Sequence, residues 1–137
     1  MALLQWALTC KDISIDSQSN NVTYRDAIEQ VKAEEYPAAI PSMFILAMLW
    51  RRDDLSTPET IQCRIALEDD DGDEAAVTDP IEVDLENHER FRAHVPNPAF
   101  ELEEPGTVWF AIQMNQGDEW ERMSVLPVEF KFMDEEA

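Results

Sequence analysis

The stretch Ile61-Gln62-Cys63-Arg64-Ile65-Ala66-Leu67, followed by Ile81-Glu82-Val83-Asp84-Leu85, decides the fold. Every second residue is apolar in both runs. Side chains on a strand point alternately to opposite faces, so each run offers one face to a core and the other to water. The pattern recurs where Phe91, Ala93 and Val95 flank Arg92 and His94, and where Val128, Phe130 and Phe132 flank Glu129 and Lys131. Near the start, Leu4, Trp6 and Leu8 alternate with Gln5 and Thr9 more loosely. Antiparallel sheets with one solvated face read this way.

Two segments, residues 43–50 and 108–112, are apolar at nearly every position. They are expected to be central strands or strands covered on both faces. Turn signals separate the runs. Asp71-Gly72 is a favoured hairpin dipeptide, Pro105-Gly106 marks a second turn, and Gly117 is expected to close a hairpin between residues 107–115 and 119–124. Pro80, Pro96, Pro98 and Pro127 are expected at strand ends or edges, where a missing N–H does least harm. Residues 22–35 read two ways. Val22 and Tyr24 begin a strand, while Ile28 and Val31, with Asp26 and Glu29 spaced like a capping box, fit a short helix. A strand with a bulge near Asp26 fits equally well. The expected fold is therefore all-β: an antiparallel two-sheet sandwich, immunoglobulin-like or C2-like, with eight or nine short strands and at most one short helix. With 137 residues and no linker, residues 1–137 form one domain in this reading.

The net charge is −20, from 30 acids against 10 cations. That balance argues against direct nucleic-acid binding, which needs a basic face, and against anionic membranes. The acids are interleaved with apolar residues along the chain, as on the surface of a folded domain, and lysine is scarce. A halophilic source accounts for both features. Residues 1–9 lack a basic leader segment, and residues 43–50 are far short of a membrane helix, so the chain is read as cytoplasmic. Cys10 and Cys63 fit no metal-ligand spacing and read as buried thiols.

Chemical constellations are sparse. No GxSxG elbow, phosphate-cradling glycine loop, dinucleotide fingerprint or HExxH motif is present, so neither an enzyme nor a cofactor is expected. Residues 68–74 hold six acids, and Asp69, Asp71 and Asp73 are the candidate ligands of a Ca²⁺ ion. The EF-hand spacing fails, because placing Gly72 at the glycine position puts Leu67 and Thr78 at the first and last ligand positions. His88 and His94, if on one strand, lie about 20 Å apart and cannot share a metal. Trp50 and Trp109 read as core, whereas Trp120, between Glu119 and Glu121, is the candidate interface aromatic.

The run Leu8-Thr9-Cys10-Lys11-Asp12, the stretch into Tyr36-Pro37, the apolar residues 43–50, the acidic tip at residues 70–72 and the ending from Pro105-Gly106 through Val128 together resemble a family of small prokaryotic proteins of unknown function. The similarity spans nearly the whole chain. It implies a β-sandwich-like domain and brings no activity or catalytic residue.

The expectation is a non-enzymatic structural or protein-interaction module with an unidentified protein partner. The alternatives are a Ca²⁺-dependent binding module using the acidic tip, or an acidic inhibitor that mimics nucleic acid. An exposed edge strand also leaves a homodimer open.

Overall fold

The computed structural model describes residues 2–134, which form twelve strands and no helix. The first sheet holds β1 (Ala2–Ile15), β2 (Val22–Ala27), β5 (Ile45–Arg52) and β9 (Arg90–Pro96) in the order β2-β1-β5-β9, antiparallel throughout. The second holds β3 (Gln30–Ala33), β12 (Glu119–Phe132), β11 (Gly106–Gln116) and β6 (Glu59–Glu68) in the order β3-β12-β11-β6. The outer side of β6 is shared by β7 (Glu74–Val77) and β8 (Ile81–Leu85). A two-stranded ribbon of β4 (Ala38–Ile40) and β10 (Phe100–Leu102) completes the fold.

The all-β sandwich-like architecture agrees with the alternation in the sequence. Two details differ, and residues 22–33 follow the strand reading. The extra strands are the three- and four-residue segments β3, β4, β7 and β10, too short to show a period. The second sheet is mixed, because β3 runs parallel to β12. Residues 22–33 form no helix. Asp26 takes a left-handed backbone conformation (φ 57°), and the chain then leaves the first sheet as β2 and enters the second as β3. Pro127 lies inside the long strand β12, just before the stretch that β3 pairs.

One apolar cluster joins the sheets. Leu46, Met48 and Trp50 of β5 face Ile65 and Leu67 of β6, Phe110 and Ile112 of β11, and Val128 and Phe130 of β12 within it. The ribbon adds Phe100, whose ring meets Phe110 and Phe130 edge-on at 6.3 and 5.7 Å, while Phe44 meets Phe110 at 5.5 Å. Such pairings add to the area term of aromatic burial. Both cysteines are buried. Burial pushes the Cys63 thiol up to about 11, against the pull of the Trp50 indole N–H beside it. A sulfur is a weak acceptor, and the indole has no other partner.

Two polar clamps hold the ends of β5. At its start, the β5–β9 pair bends and continues as the ribbon, so the ladder breaks between Ile45–Pro96 and Ile40–Phe100. The fully buried Asn97 amide takes the ladder's place. Its Oδ1 accepts from the N–H groups of Met43 and Phe44 at 2.8 and 3.0 Å, and its Nδ2 donates to the carbonyls of Pro41 and Pro98 at 3.2 and 3.0 Å. At the other end, the Arg52 guanidinium donates to the carbonyls of Leu85, Leu55 and Glu86 at 2.7, 2.8 and 3.0 Å, tying the first sheet to β8 of the second.

An unpaired buried polar group costs about 1–3 kcal/mol. Asn97→Ala leaves two N–H groups and two carbonyls without their partner and is expected to cost about 3 kcal/mol or more. Urea unfolding measures this as a lower midpoint at unchanged slope. Asn97→Asp does not rescue it, because a carboxylate has no N–H to give Pro41 and Pro98.

Candidate functional site

β5 is apolar on both faces. Leu46, Met48 and Trp50 point into the core, while Ala47 and Leu49 point the other way and are nonetheless 0% and 9% exposed. No third layer of secondary structure covers them among the described residues. Side chains and a folded-back hairpin do so instead. Residues paired directly across a sheet share a face, so Trp6 and Leu8 of β1 and Arg92 and His94 of β9 flank Leu49 and Ala47 on this outer surface. Tyr24, from the β1–β2 hairpin, packs edge-on against Trp6 at 5.2 Å and His94 at 5.7 Å. Its Oη lies 3.2 Å from His94 Nε2, and the histidine tautomer decides which of the two donates. The Arg92 guanidinium donates to the carbonyl of Asn20 at the hairpin tip, which pins the tip against β9.

Burial holds His94 below its ordinary value of 6.5, and the Arg92 charge adds to the effect. Burial raises Tyr24 above 10.0, with Arg92 opposing. Both groups are therefore neutral near pH 7, which suits a half-buried roof over Ala47 and Leu49.

A cleft of about 510 Å³ opens beside this roof, lined by Asn20, Leu49, His88, Arg90, Phe91 and Arg92. Its volume falls within the usual range of ligand clefts. Four other surface clefts each include at least one carboxylate: Glu34 and Asp134, Glu89, Glu68 with Asp69 and Asp70, and Glu29 with Glu129. The cleft beside the roof includes none, although Arg90 also borders the neighbouring cleft that holds Arg51 and Glu89. The strands of this sheet carry Lys11, Arg25, Arg51, Arg52, Arg90 and Arg92, six of the ten cations, against Asp12 and Asp26, two of the thirty acids. Arg51 and Arg90 stand directly opposite each other across the ladder. Like charges so placed repel. Among the described residues, no carboxylate forms an ion pair with Arg51, Arg90 or Arg92.

The second sheet treats its cations differently. On its outer face Arg122 is ion-paired with the buried Glu68. Arg64 donates to Gln113 Oε1 at 2.7 Å and lies 4.3 Å over the ring of Trp120. Trp120 is thus a half-buried aromatic under a guanidinium. Trp109 is not core, contrary to expectation. The alternation of β11 sends Val108, Phe110 and Ile112 inward, and the half-buried Trp109 donates its indole N–H to Asp70 at 2.9 Å.

The acidic tip forms the turn between β6 and β7. Gly72 takes a left-handed φ of 83°, and Asp69 Oδ1 accepts the N–H groups of Asp71 and Asp73, each at 2.9 Å. Asp69, Asp71 and Asp73 bring one oxygen each within 4.8 Å of one another, all exposed. Asp16, Asp54 and Asp84 cap turns in the same manner, and hydrogen bonds from the residues that follow lower the pKa of each. His88 lies in the loop before β9 and His94 on β9 itself, so the two serve different environments.

The cations of the first sheet were missed in the sequence. The signal was there: no acid occurs in residues 36–52 or 90–100, and these windows hold Arg51, Arg52, Arg90 and Arg92.

Fold and surface define a sandwich-like all-β domain with a basic face on an acidic body. The model described as "Family of unknown function (DUF6941)" matches residues 5–129, and the chain belongs to that family. No curated protein matches the chain. No helix of the described residues is long and apolar enough to cross a membrane.

His94 supplies a pH test. Between its lowered folded pKa and 6.5, the unfolded chain binds more protons than the folded one, so stability falls as pH falls through that window. The capping aspartates act below 3.8 and do not overlap it. The melting temperature is expected to drop less between about pH 7 and pH 5 in His94→Gln than in the parent protein. Equal drops in the two proteins contradict the roof described for His94.

Proposed function

We propose that this protein is a non-enzymatic protein-interaction module, and that its working surface is the outer face of the sheet β2-β1-β5-β9, which receives an acidic segment of a partner protein. The observation that carries the reading is the arginine group Arg51, Arg90 and Arg92, left without carboxylate partners among the described residues in a chain that has three acids for every cation. Structural needs alone favour pairing such cations with the abundant acids, as Arg122 is paired with Glu68. The half-buried Trp6 beside them supplies the apolar contact that gives an interface its affinity. Near physiological salt the Debye length is about 8 Å, so Arg51, Arg90 and Arg92 outweigh the neighbouring Glu89 and the more distant acids at this surface.

Two rival proposals rest on the acids instead. A Ca²⁺ module on Asp69, Asp71 and Asp73 requires binding heat from millimolar CaCl₂. An acidic mimic of nucleic acid requires capture of a basic DNA-binding protein that duplex DNA displaces.

The test is fluorescence anisotropy with a labelled oligoglutamate peptide at about 0.15 M salt. Saturable binding that weakens with added KCl, and that falls at least about tenfold in Arg51→Gln/Arg90→Gln, is the expected result. Binding unchanged in that variant, or none at all, contradicts the proposal.

A further inference from the structure

We infer that the cleft between the β1–β2 hairpin tip and β9 is a phosphomonoester site. This rests on the reading of the outer face as an anion-receiving surface and names the group that its cleft takes. Donors converge there from three separate parts of the chain: Asn20 at the hairpin tip, Arg90 and Arg92 on β9, and His88 in the loop before it. Arg92 spends one N–H on the Asn20 carbonyl, which fixes its guanidinium and leaves its remaining N–H groups for a ligand. Arg90 is exposed and its side chain makes no hydrogen bond or ion pair among the described residues, so its whole fork is available.

A carboxylate presents two oxygens in one plane. A phosphoryl dianion presents three, spread in space, and matches donors arriving from three directions. Two adjacent guanidinium groups also repel each other less when a doubly charged group lies between them. At about 510 Å³ the cleft is far larger than a bare phosphate, and Leu49 is the apolar residue of the outer face that lines it. The ligand therefore carries an organic group on its phosphate. A phosphorylated side chain of a partner protein and a free organic phosphate share this chemistry.

Amide NMR titrations at about 0.15 M salt with phenyl phosphate, inorganic phosphate and benzoate test the assignment. Phenyl phosphate is expected to shift the amides of Asn20, Leu49 and residues 88–92 saturably, with affinity at least about tenfold above that of benzoate and above that of inorganic phosphate. Arg90→Gln is expected to lower that affinity at least about tenfold without lowering the melting temperature, since the Arg90 side chain holds no folded-state partner and is repelled by Arg51 across the ladder. Unshifted cleft amides, or equal affinity in Arg90→Gln, overturn the assignment. If oligoglutamate binds the arginine face while phenyl phosphate leaves the cleft unmoved, the phosphomonoester site falls and the broader acidic-partner reading stands. If phenyl phosphate binds and oligoglutamate does not, the reverse holds. A phosphoserine peptide that binds more tightly than phenyl phosphate and also shifts Trp6 and Arg51 assigns the source to a protein. Equal affinity without those shifts assigns it to a free organic phosphate.

Discussion

The burial of β5 on both faces is the constraint from which the rest of the molecule follows. Its core side packs against the second sheet, as in any sandwich. Its other side, Ala47 and Leu49, has to leave water as well, and burying a leucine is worth about 1.5–3 kcal/mol. The chain meets that demand by lengthening β1 to fourteen residues and returning it as β2, so that Tyr24 reaches over Trp6 to His94. The Arg92 contact to Asn20 secures the tip of that hairpin. A cleft remains where the folded hairpin stops short of the loop before β9. The candidate site is thus a by-product of covering a strand that is too apolar to face water.

Charge follows the same division. A body with 28 of the 30 acids outside the strands of the first sheet repels itself, and salt weakens that repulsion. Several aspartates are bound up in local turns, as Asp16, Asp54, Asp69 and Asp84 are. These acids shape loops and do not need a partner to explain them. Arg52 has an equally structural task, since it satisfies three carbonyls at the end of β5. Arg51, Arg90 and Arg92 are different: no carboxylate pairs with them among the described residues, and two of them face each other across a ladder.

The framework was legible in the sequence wherever a strand was long enough to show its period. Residues 61–67, 81–85 and 91–95 lie in β6, β8 and β9, and the apolar segments 43–50 and 108–112 fall on the central strands β5 and β11, with Met43 and Phe44 preceding β5. The ribbon β4–β10 was not legible, because three residues carry no periodicity and its register depends on Asn97, a residue whose role needs three partners from the distant segment 41–44 and one from its neighbour Pro98. Trp109 was misplaced because an apolar run does not say which alternate residue faces the core. The arginine cleft was hidden for another reason. Net charge averages over the chain, whereas the site depends on which acid-free segments become neighbours, and β5 and β9 are forty residues apart in sequence yet adjacent in the sheet.

The central claim is that an acidic protein keeps one locally basic face. Amide relaxation by paired nitroxide co-solutes of equal size, one anionic and one cationic, measures that local potential directly at about 0.15 M salt. The account predicts that amides at residues 49–51 and 90–92 relax faster with the anionic probe, while the turn at residues 69–74 relaxes faster with the cationic one. Preference for the cationic probe at both places contradicts it.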